Sequence, residues 1–485
     1  MTTPGGSDSF VPGAAAGTTR APLSLTAAWV ASATGGTIVS GDPDRVLAGV
    51  SIDTRTLKPG ALYIGVRGER FDGAQFASAA IAVGAAGVMV PAAFARTESR
   101  DAVVIAVDDA TVALQALGRA VRRSSGATVV AITGSAGKTT TKEITAEFLA
   151  ERYQVMRNRG NFNNHIGLPL SLIELTARPD IAVVELGMNH AGEIRTLVDV
   201  AEPDVRVWIN VGEAHLGHFA SLDAIADAKA EILEGASSST LLVANADDAR
   251  IADRTTGFAG RIVTFGIDAA ADVRATGVVD RAVEGTRARV TTRGGSIELT
   301  TPLVGRANLA NVLAAAAVAT ELGVPLDAIA KRAAALRPAA HRGEVLRLRD
   351  DVTLIDDSYN ANPTATRRAL DVLGGASGAS RRIAVLGEML ELGERSTALH
   401  EEVGRAAAAA RVDVLVTVGA GPAAALAEAA IASGIARERV RHFSTSEEAA
   451  DAAASLVKAG DLVLVKGSRG VRTDRIVDRL KAERG

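Results

Sequence analysis

Cysteine is absent from the chain, which excludes disulfides, thiolate nucleophiles and thiolate metal sites and suits a reducing cytosol. An excess of one charge is absent too. With 53 basic against 56 acidic side chains the net charge is −3, which gives no electrostatic case for nucleic acid or an anionic membrane. No run suits a bilayer: the alanine-rich stretch Ala310 to Ala319 is short and polar at its ends. The first 22 residues, MTTPGGSDSFVPGAAAGTTRAP, lack a basic start and a sustained apolar core, so a disordered tail is expected there rather than a signal peptide. No short-period repeat is found. What is present is an ordinary globular composition, 47% hydrophobic over 485 residues, long enough for about three domains. A soluble, cytoplasmic chain is expected.

The most informative stretch is ATVVAITGSAGKTTT, from Ala127 to Thr141, where a buried-strand pattern breaks into a glycine turn. Such a turn aims backbone N–H groups at a polyphosphate, so Gly134, Ser135, Ala136, Gly137, Lys138, Thr139 and Thr140 are candidates to cradle ATP or a close relative. Lys138 and the first threonine are placed for phosphate oxygens and Mg²⁺. The usual P-loop has a glycine where this chain has Ile132 and spaces its glycines more widely than Gly134 and Gly137, so this is the short form GxxGKT. The competing reading is a glycine turn that merely closes a strand.

Strand and helix patterns alternate along three stretches, predicting an α/β protein of three domains. Residues 23–123 form a small α/β unit, with apolar runs at Gly60 to Val66 and Gly87 to Val90. Residues 124–336 form a central P-loop unit with a parallel sheet, built on runs beginning at Ile181, Val205, Thr240 and Arg261 and followed by a β-rich insert from about Asp272 to Leu303. After Arg337-Pro338 the alternation restarts in a Rossmann-like unit, residues 337–485, with runs beginning at Val352, Arg382, Val412 and Asp461.

Open α/β sheets bind ligands at the carboxyl ends of their strands. There Thr139, Glu185 and His215 supply a hydroxyl, a carboxylate and an imidazole, a candidate divalent-cation shell beside a triphosphate. Taken singly, Glu185 could cap a helix and His215 could be structural. Asn161, Asn163 and Asn164 either bind sugar or phosphate oxygens or hold a turn-rich loop by Asx bonds. Asn308 and Asn311 open a helix; capping accounts for the first alone, while the pair could face the nucleotide base. Lys229, on an expected helix, reads in isolation as a solvated surface lysine. Arg342, at the start of the third unit, either reaches a phosphate when domains close or makes an interdomain salt bridge.

ITGSAGKTTTK, GNFNNHIGLPLS, VELGMNHAGEI and NVGEAHLGHF together resemble the central ATPase domain of the Mur ligase family. SIDTRTLKPGALYIGVRGERFDGAQFA resembles the family's uridine-nucleotide domain, and DDSYNANPTA, LGEMLELG and LVKGSRG its carboxy-terminal domain. The resemblance implies that Asp53, Thr54 and Arg55 lie near the UDP group and that Arg342 meets the γ-phosphate. It also implies that Asp357, Asn308 and Asn311 lie with the nucleotide and Asn360 and Asn362 with the substrate. Lys229 matches a lysine that several relatives carry as a carbamate, which would make it a metal ligand beside Thr139, Glu185 and His215. Lys138, Lys229, Arg342 and His215 are the implied catalytic set.

The implied reaction is ATP- and Mg²⁺-dependent ligation of D-alanyl-D-alanine to a UDP-linked muramoyl tripeptide through an acyl phosphate, by a monomer that neither binds nucleic acid nor enters a membrane. The rivals are a ligase of the same family adding one amino acid or a glutamate to folate, a P-loop NTPase acting as a conformational switch, and a uridine-nucleotide binding module without chemistry.

Overall fold

A computed structural model of the chain describes residues 20–68, 70–95, 101–214 and 216–485; the expected tail therefore lies, up to residue 19, outside the described residues, as does His215. Three sheets form, one in each expected unit. The first holds β1 (Thr37–Ser40), β2 (Val50–Ser51), β3 (Leu62–Ile64), β4 (Gly87–Pro91) and β5 (Val103–Val107) in the order 1-5-4-3-2, with β1 antiparallel to β5. The central sheet holds β6 (Thr128–Thr133), β7 (Val155–Arg157), β8 (Ile181–Glu185), β9 (Val205–Trp208), β10 (Leu241–Asn245), β11 (Arg261–Gly266), β12 (Val273–Asp280), β13 (Thr286–Thr292) and β14 (Gly295–Thr301). Their order is 14-13-12-11-10-9-6-8-7. The third holds β15 (Glu344–Arg347), β16 (Thr353–Asp357), β17 (Arg381–Gly387), β18 (Val414–Val418), β19 (Val440–Phe443) and β20 (Asp461–Lys466) in the order 15-16-20-17-18-19.

Continuous apolar runs produce the parallel strands because helices cover both faces: every residue of β6, β8, β10 and β20 is buried. The β-rich stretch differs from its expectation as an insert. It extends the central sheet, β12 running parallel to β11 and β13 and β14 returning antiparallel. Alternating burial along β13 explains this, since one face meets the core and the other meets water. The alanine-rich run lies in the helix Arg306–Glu321, buried without a break from Asn311 to Ala319. A helix apolar all round belongs inside, and its small side chains let it lie close against the helix Lys138–Leu149. Among the described residues, no helix is long and apolar enough to cross a membrane.

The first unit leans on the second through the helix Ala110–Ser125, where a Cβ at Gly118 would stand 2.9 Å from the Cα of Pro169. Between the second and third units the chain leaves the helix Leu326–Ala334, passes Arg337-Pro338 and takes left-handed backbone at His341 (φ +61°) and Gly343 (φ +74°) before β15. Proline ends the helical pattern and the two positive φ values turn the chain. The loops that follow the parallel strands of the central and third sheets line one cleft of about 1240 Å³.

Candidate active site

The glycine turn follows β6, an interior strand of the central sheet that lies between β9 and β8. Gly137 takes φ +85° at the N-terminal cap position of the helix Lys138–Leu149, a conformation open to glycine at little cost. A Cβ there would stand 2.7 Å from Asn311 Oδ1. The turn's shape is fixed by Asn210, which follows β9. Its Oδ1 accepts from the N–H groups of Ser135 and Ala136, both at 3.0 Å, and its Nδ2 donates to the Ala136 carbonyl at 2.9 Å.

Lys138 is half-buried, and its Nζ donates to the Gly134 carbonyl at 2.9 Å. Burial pushes its amine below the usual lysine range; Glu185 opposes that shift and Arg342 adds to it. Gly134 presses against Ile209, which lines the cleft together with Ser135 through Thr140. Thr139 Oγ1 donates to Glu185 Oε2 at 2.8 Å, and Asn163 Nδ2 donates to Glu185 Oε1 at 2.5 Å. Glu185 is thus a buried carboxylate satisfied by neutral donors, not a helix cap. Together with the Thr139 hydroxyl it makes a hard-oxygen pair that fits a magnesium ion. Among the described residues, no group of three or more His, Asp or Glu side chains is placed around a metal position.

The asparagine loop combines its two readings. Asn161, Asn163 and Asn164 all line the cleft, Asn163 reaching Glu185, while Asn164 Oδ1 also accepts from the N–H groups of Ile166 (3.2 Å) and Gly167 (2.8 Å) as an Asx turn. Asn308 is not a cap: Gly305 holds that position, and Asn308 Nδ2 donates back to the Val304 carbonyl at 2.9 Å while its Oδ1 accepts from Asn311 at 3.2 Å. Both line the cleft.

Lys229 is not a surface lysine. It is 2% exposed on the helix Leu222–Ala230, and no described residue gives its amine a hydrogen bond or ion pair. Burial first, and the charge of Lys138 second, push that amine well below the ordinary lysine range. The following turn is anchored by the buried Glu231, which accepts from the N–H groups of Gly192 (2.6 Å) and Arg195 (3.0 Å).

Across the cleft Arg342 makes no salt bridge with a described residue; its guanidinium lies 4.1 Å from the Tyr359 ring centre. Asp357 Oδ2 accepts from Lys466 Nζ at 2.6 Å, and the same amine donates to the Asn360 carbonyl at 3.0 Å. Asn360 Oδ1 accepts from the Ala361 N–H (2.9 Å), and Asn362 caps the helix Pro363–Gly375 by accepting from Ala365 N–H (2.8 Å). Asp53, Thr54 and Arg55 do not line this cleft. They form their own turn in the first unit, where Arg55 donates to Asp53 at 2.6 and 2.9 Å and holds its carboxyl down to about 2. The sequence reading passed over Asn210, Tyr359 and Lys466. The one available signal for Asn210 was its place just after the strand beside β6.

Three family models match: Mur ligase family, catalytic domain over residues 46–147; Mur ligase middle domain over 132–319; and Mur ligase, glutamate ligase domain over 341–469. The chain is 34% identical over 435 residues to the UDP-N-acetylmuramoyl-tripeptide--D-alanyl-D-alanine ligase of Bacillus subtilis, covering 90% of this chain and 93% of that one. It is 37% identical over 442 residues to the ligase of the same name from Escherichia coli, covering 90% and 94%. Among solved structures it resembles MurF from Acinetobacter baumannii (TM-score 0.86, 31% identity, 96% of this chain and 100% of that chain). It also resembles the MurF ligase from Thermotoga maritima in complex with ADP (TM-score 0.79, 29% identity, 90% and 97%).

Proposed function

The chain belongs to the Mur ligase family, and we propose that it joins D-alanyl-D-alanine to UDP-N-acetylmuramoyl-tripeptide at the expense of ATP, a step in building peptidoglycan precursors. The observation that carries this reading is the single cleft. It sets a phosphate-binding turn and a Thr139–Glu185–Asn163 chain on the central unit opposite Arg342 on the third, which has no ion pair to a described residue.

The tripeptide carboxylate attacks the γ-phosphorus of ATP, the bond to the β-phosphate oxygen breaks, and ADP leaves. The amine of D-alanyl-D-alanine then attacks the acyl carbon, phosphate departs, and the nitrogen gives up a proton. Lys138 and the N–H groups from Gly137 to Thr140 hold the phosphates, the turn from Gly134 to Ala136 being shaped around them by Asn210, and Arg342 neutralises charge as it develops on the transferred group. Thr139, Glu185 and His215 would hold Mg²⁺, which when bound supplies positive charge to the phosphate oxygens. Asn161, Asn163 and Asn164 order the loop beside it, with Asn308, Asn311 and Asp357 on the nucleotide and Asn360 and Asn362 towards the acceptor. Asp53, Thr54 and Arg55 serve the uridine nucleotide in a domain of residues 23–123, beside an ATP domain of 124–336 and a third domain of 337–485.

Lys229 is the residue whose chemistry the environment changes most. A neutral lysine amine attacks CO₂, forms an N–C bond and loses a proton, leaving a carboxylate in place of a cation. Burial and the neighbouring Lys138 both favour the neutral amine. The carbamate would face the phosphate and metal region as a ligand.

The test is ADP release in the presence of the UDP-linked tripeptide, with and without D-alanyl-D-alanine, with the product's mass measured. Release that depends on the dipeptide, and a product heavier than the tripeptide by one condensed dipeptide, is expected. Release indifferent to the dipeptide would favour a nucleotide switch, and a product heavier by a single amino acid would favour another ligase of the family.

A further inference from the structure

Two guanidiniums over one tyrosine of the cleft have no carboxylate partner among the described residues. Arg342 and Arg469 lie 4.1 and 5.6 Å from the centre of the same Tyr359 ring, and neither has a hydrogen bond or ion pair to a described residue. Three other basic side chains lining the cleft are engaged: Arg306 with Asp268, Lys466 with Asp357, and Lys138 with the Gly134 carbonyl. Arg368 also lines the cleft without an ion pair to a described residue, but among the described arginines Arg342 and Arg469 are the two that lie over Tyr359. A cation kept free of carboxylates at a ligand cleft is available to an anion that arrives from outside.

The two arginines are not equivalent. Arg342 adjoins Gly343, where a Cβ would stand 4.0 Å from Asn308 Nδ2, and Asn308 is bonded to Asn311 beside Gly137, so Arg342 belongs to the phosphate side; Arg469 stands on the loop after β20. Although the Arg469 side chain is exposed, its backbone is tied to the loop after β17. Ser468 N–H donates to the Glu388 carbonyl (3.2 Å), and Ser468 Oγ accepts from Leu390 N–H (2.9 Å). That loop is fixed in turn by the buried His400, whose Nε2 accepts from Met389 N–H (2.9 Å) while its Nδ1 donates to the Ser396 carbonyl (2.7 Å).

We infer that Arg469 selects the incoming dipeptide by taking its C-terminal carboxylate, leaving Arg342 to the transferred phosphate. This rests on the ligase reading above, which brings to the cleft two anions besides the nucleotide. The dipeptide's amine must reach the acyl carbon beside the phosphate, and its carboxylate then lies one extended dipeptide away, about 7 Å. Guanidiniums 4.1 and 5.6 Å from one ring centre lie within about 10 Å of each other, a distance that a dipeptide can span. The ring holds them by cation–π attraction without neutralising either.

The experiment compares D-alanyl-D-alanine with its C-terminal amide in wild type, Arg469→Gln and Arg469→Lys, with ATP and UDP-tripeptide saturating. For the wild type, KM for the amide should exceed KM for the acid by about 10–100-fold, the range for losing a hydrogen-bonded charge. Arg469→Gln should raise KM for the acid to that of the amide with kcat little changed, and Arg469→Lys should recover part of the preference. An acid-to-amide ratio in Arg469→Gln equal to that of wild type, or a KM change confined to ATP, overturns the assignment. A wild type that ligates neither acceptor overturns the ligase reading itself, and this inference with it.

Discussion

At the residue scale, the two lysines proposed to act in the reaction, Lys138 and Lys229, are both less exposed than lysines usually are. Lys138→Ala should lower turnover by about 10²–10³-fold, the loss typical of removing one group aimed at developing charge. Its circular dichroism should stay that of the wild type, and a folded Lys138→Ala with near-native ADP release would end the phosphate assignment. For Lys229 the direction of the shift sets a stability signature. The folded amine holds its proton less tightly than the unfolded one, so between the two pKa values the unfolded chain binds more protons and stability rises with pH. In CO₂-free buffer, melting curves of wild type and Lys229→Met should therefore converge or cross in the wild type's favour as pH rises from about 7 to about 9, where ordinary lysines remain charged. A gap that does not change with pH would mean the amine is not perturbed. If the lysine works as a carbamate, Lys229→Ala should regain part of its activity with added short-chain carboxylates. Lys229→Arg should not, because a guanidinium keeps its charge and cannot ligate metal.

At the element scale the strand-turn-helix from Thr128 to Leu149 was legible because its signals are local: an apolar run, two glycines, then Lys and Thr. What holds the turn was not legible, since Asn210 and Asn311 come from elements whose neighbours are set by sheet order and helix packing. The same reason accounts for the capping alternative at Asn308, which the structure sets aside because Gly305 caps the helix, and for the stretch after Asp272, whose pairing to β11 leaves no mark in composition. The turn supplies its own test. Gly137→Ala combines a left-handed φ with a Cβ driven against Asn311, so nucleotide affinity measured by calorimetry should fall together with stability. Gly257→Ala carries the same backbone penalty, at φ +83° with no atom within 4 Å of the new Cβ. It should cost about 1–2 kcal/mol of stability and leave nucleotide binding intact. Equal binding losses in the two variants would show that the turn's contact with Asn311 is irrelevant.

At the scale of the whole molecule the question is what holds the third unit over the nucleotide. Arg337-Pro338 was visible as a break in the helical pattern, and the positive φ at His341 and Gly343 places the turn of the chain there. The latch was not visible, because its partners stand 154 residues apart and only the folded chain joins them. Glu213, on the loop after β9, accepts from Arg367 and from Thr364 Oγ1 (3.2 Å) on the helix Pro363–Gly375, and Gly217 N–H donates to the Glu391 carbonyl (2.8 Å). Glycines at 217 and 393 allow that approach, since a Cβ on Gly393 would stand 2.8 Å from the Gly217 Cα. An acyl phosphate must be kept from water, so a docked third unit is what the two-step reaction requires. If the unit swings as a rigid body about residues 336–341, removing the charged contact should shift the equilibrium towards an open form by about 1–2 kcal/mol, a factor of about 5–30. Small-angle scattering of Arg367→Ala should then give a larger radius of gyration than wild type without ligand. Saturating ATP analogue and UDP-tripeptide should restore the compact form, because ligand contacts from both units replace the latch. Turnover should fall while affinity for ATP, held by the central unit, is kept. Scattering profiles identical for wild type and variant, with and without ligands, would mean that the units are joined too firmly to open and that substrates enter a cleft that does not close.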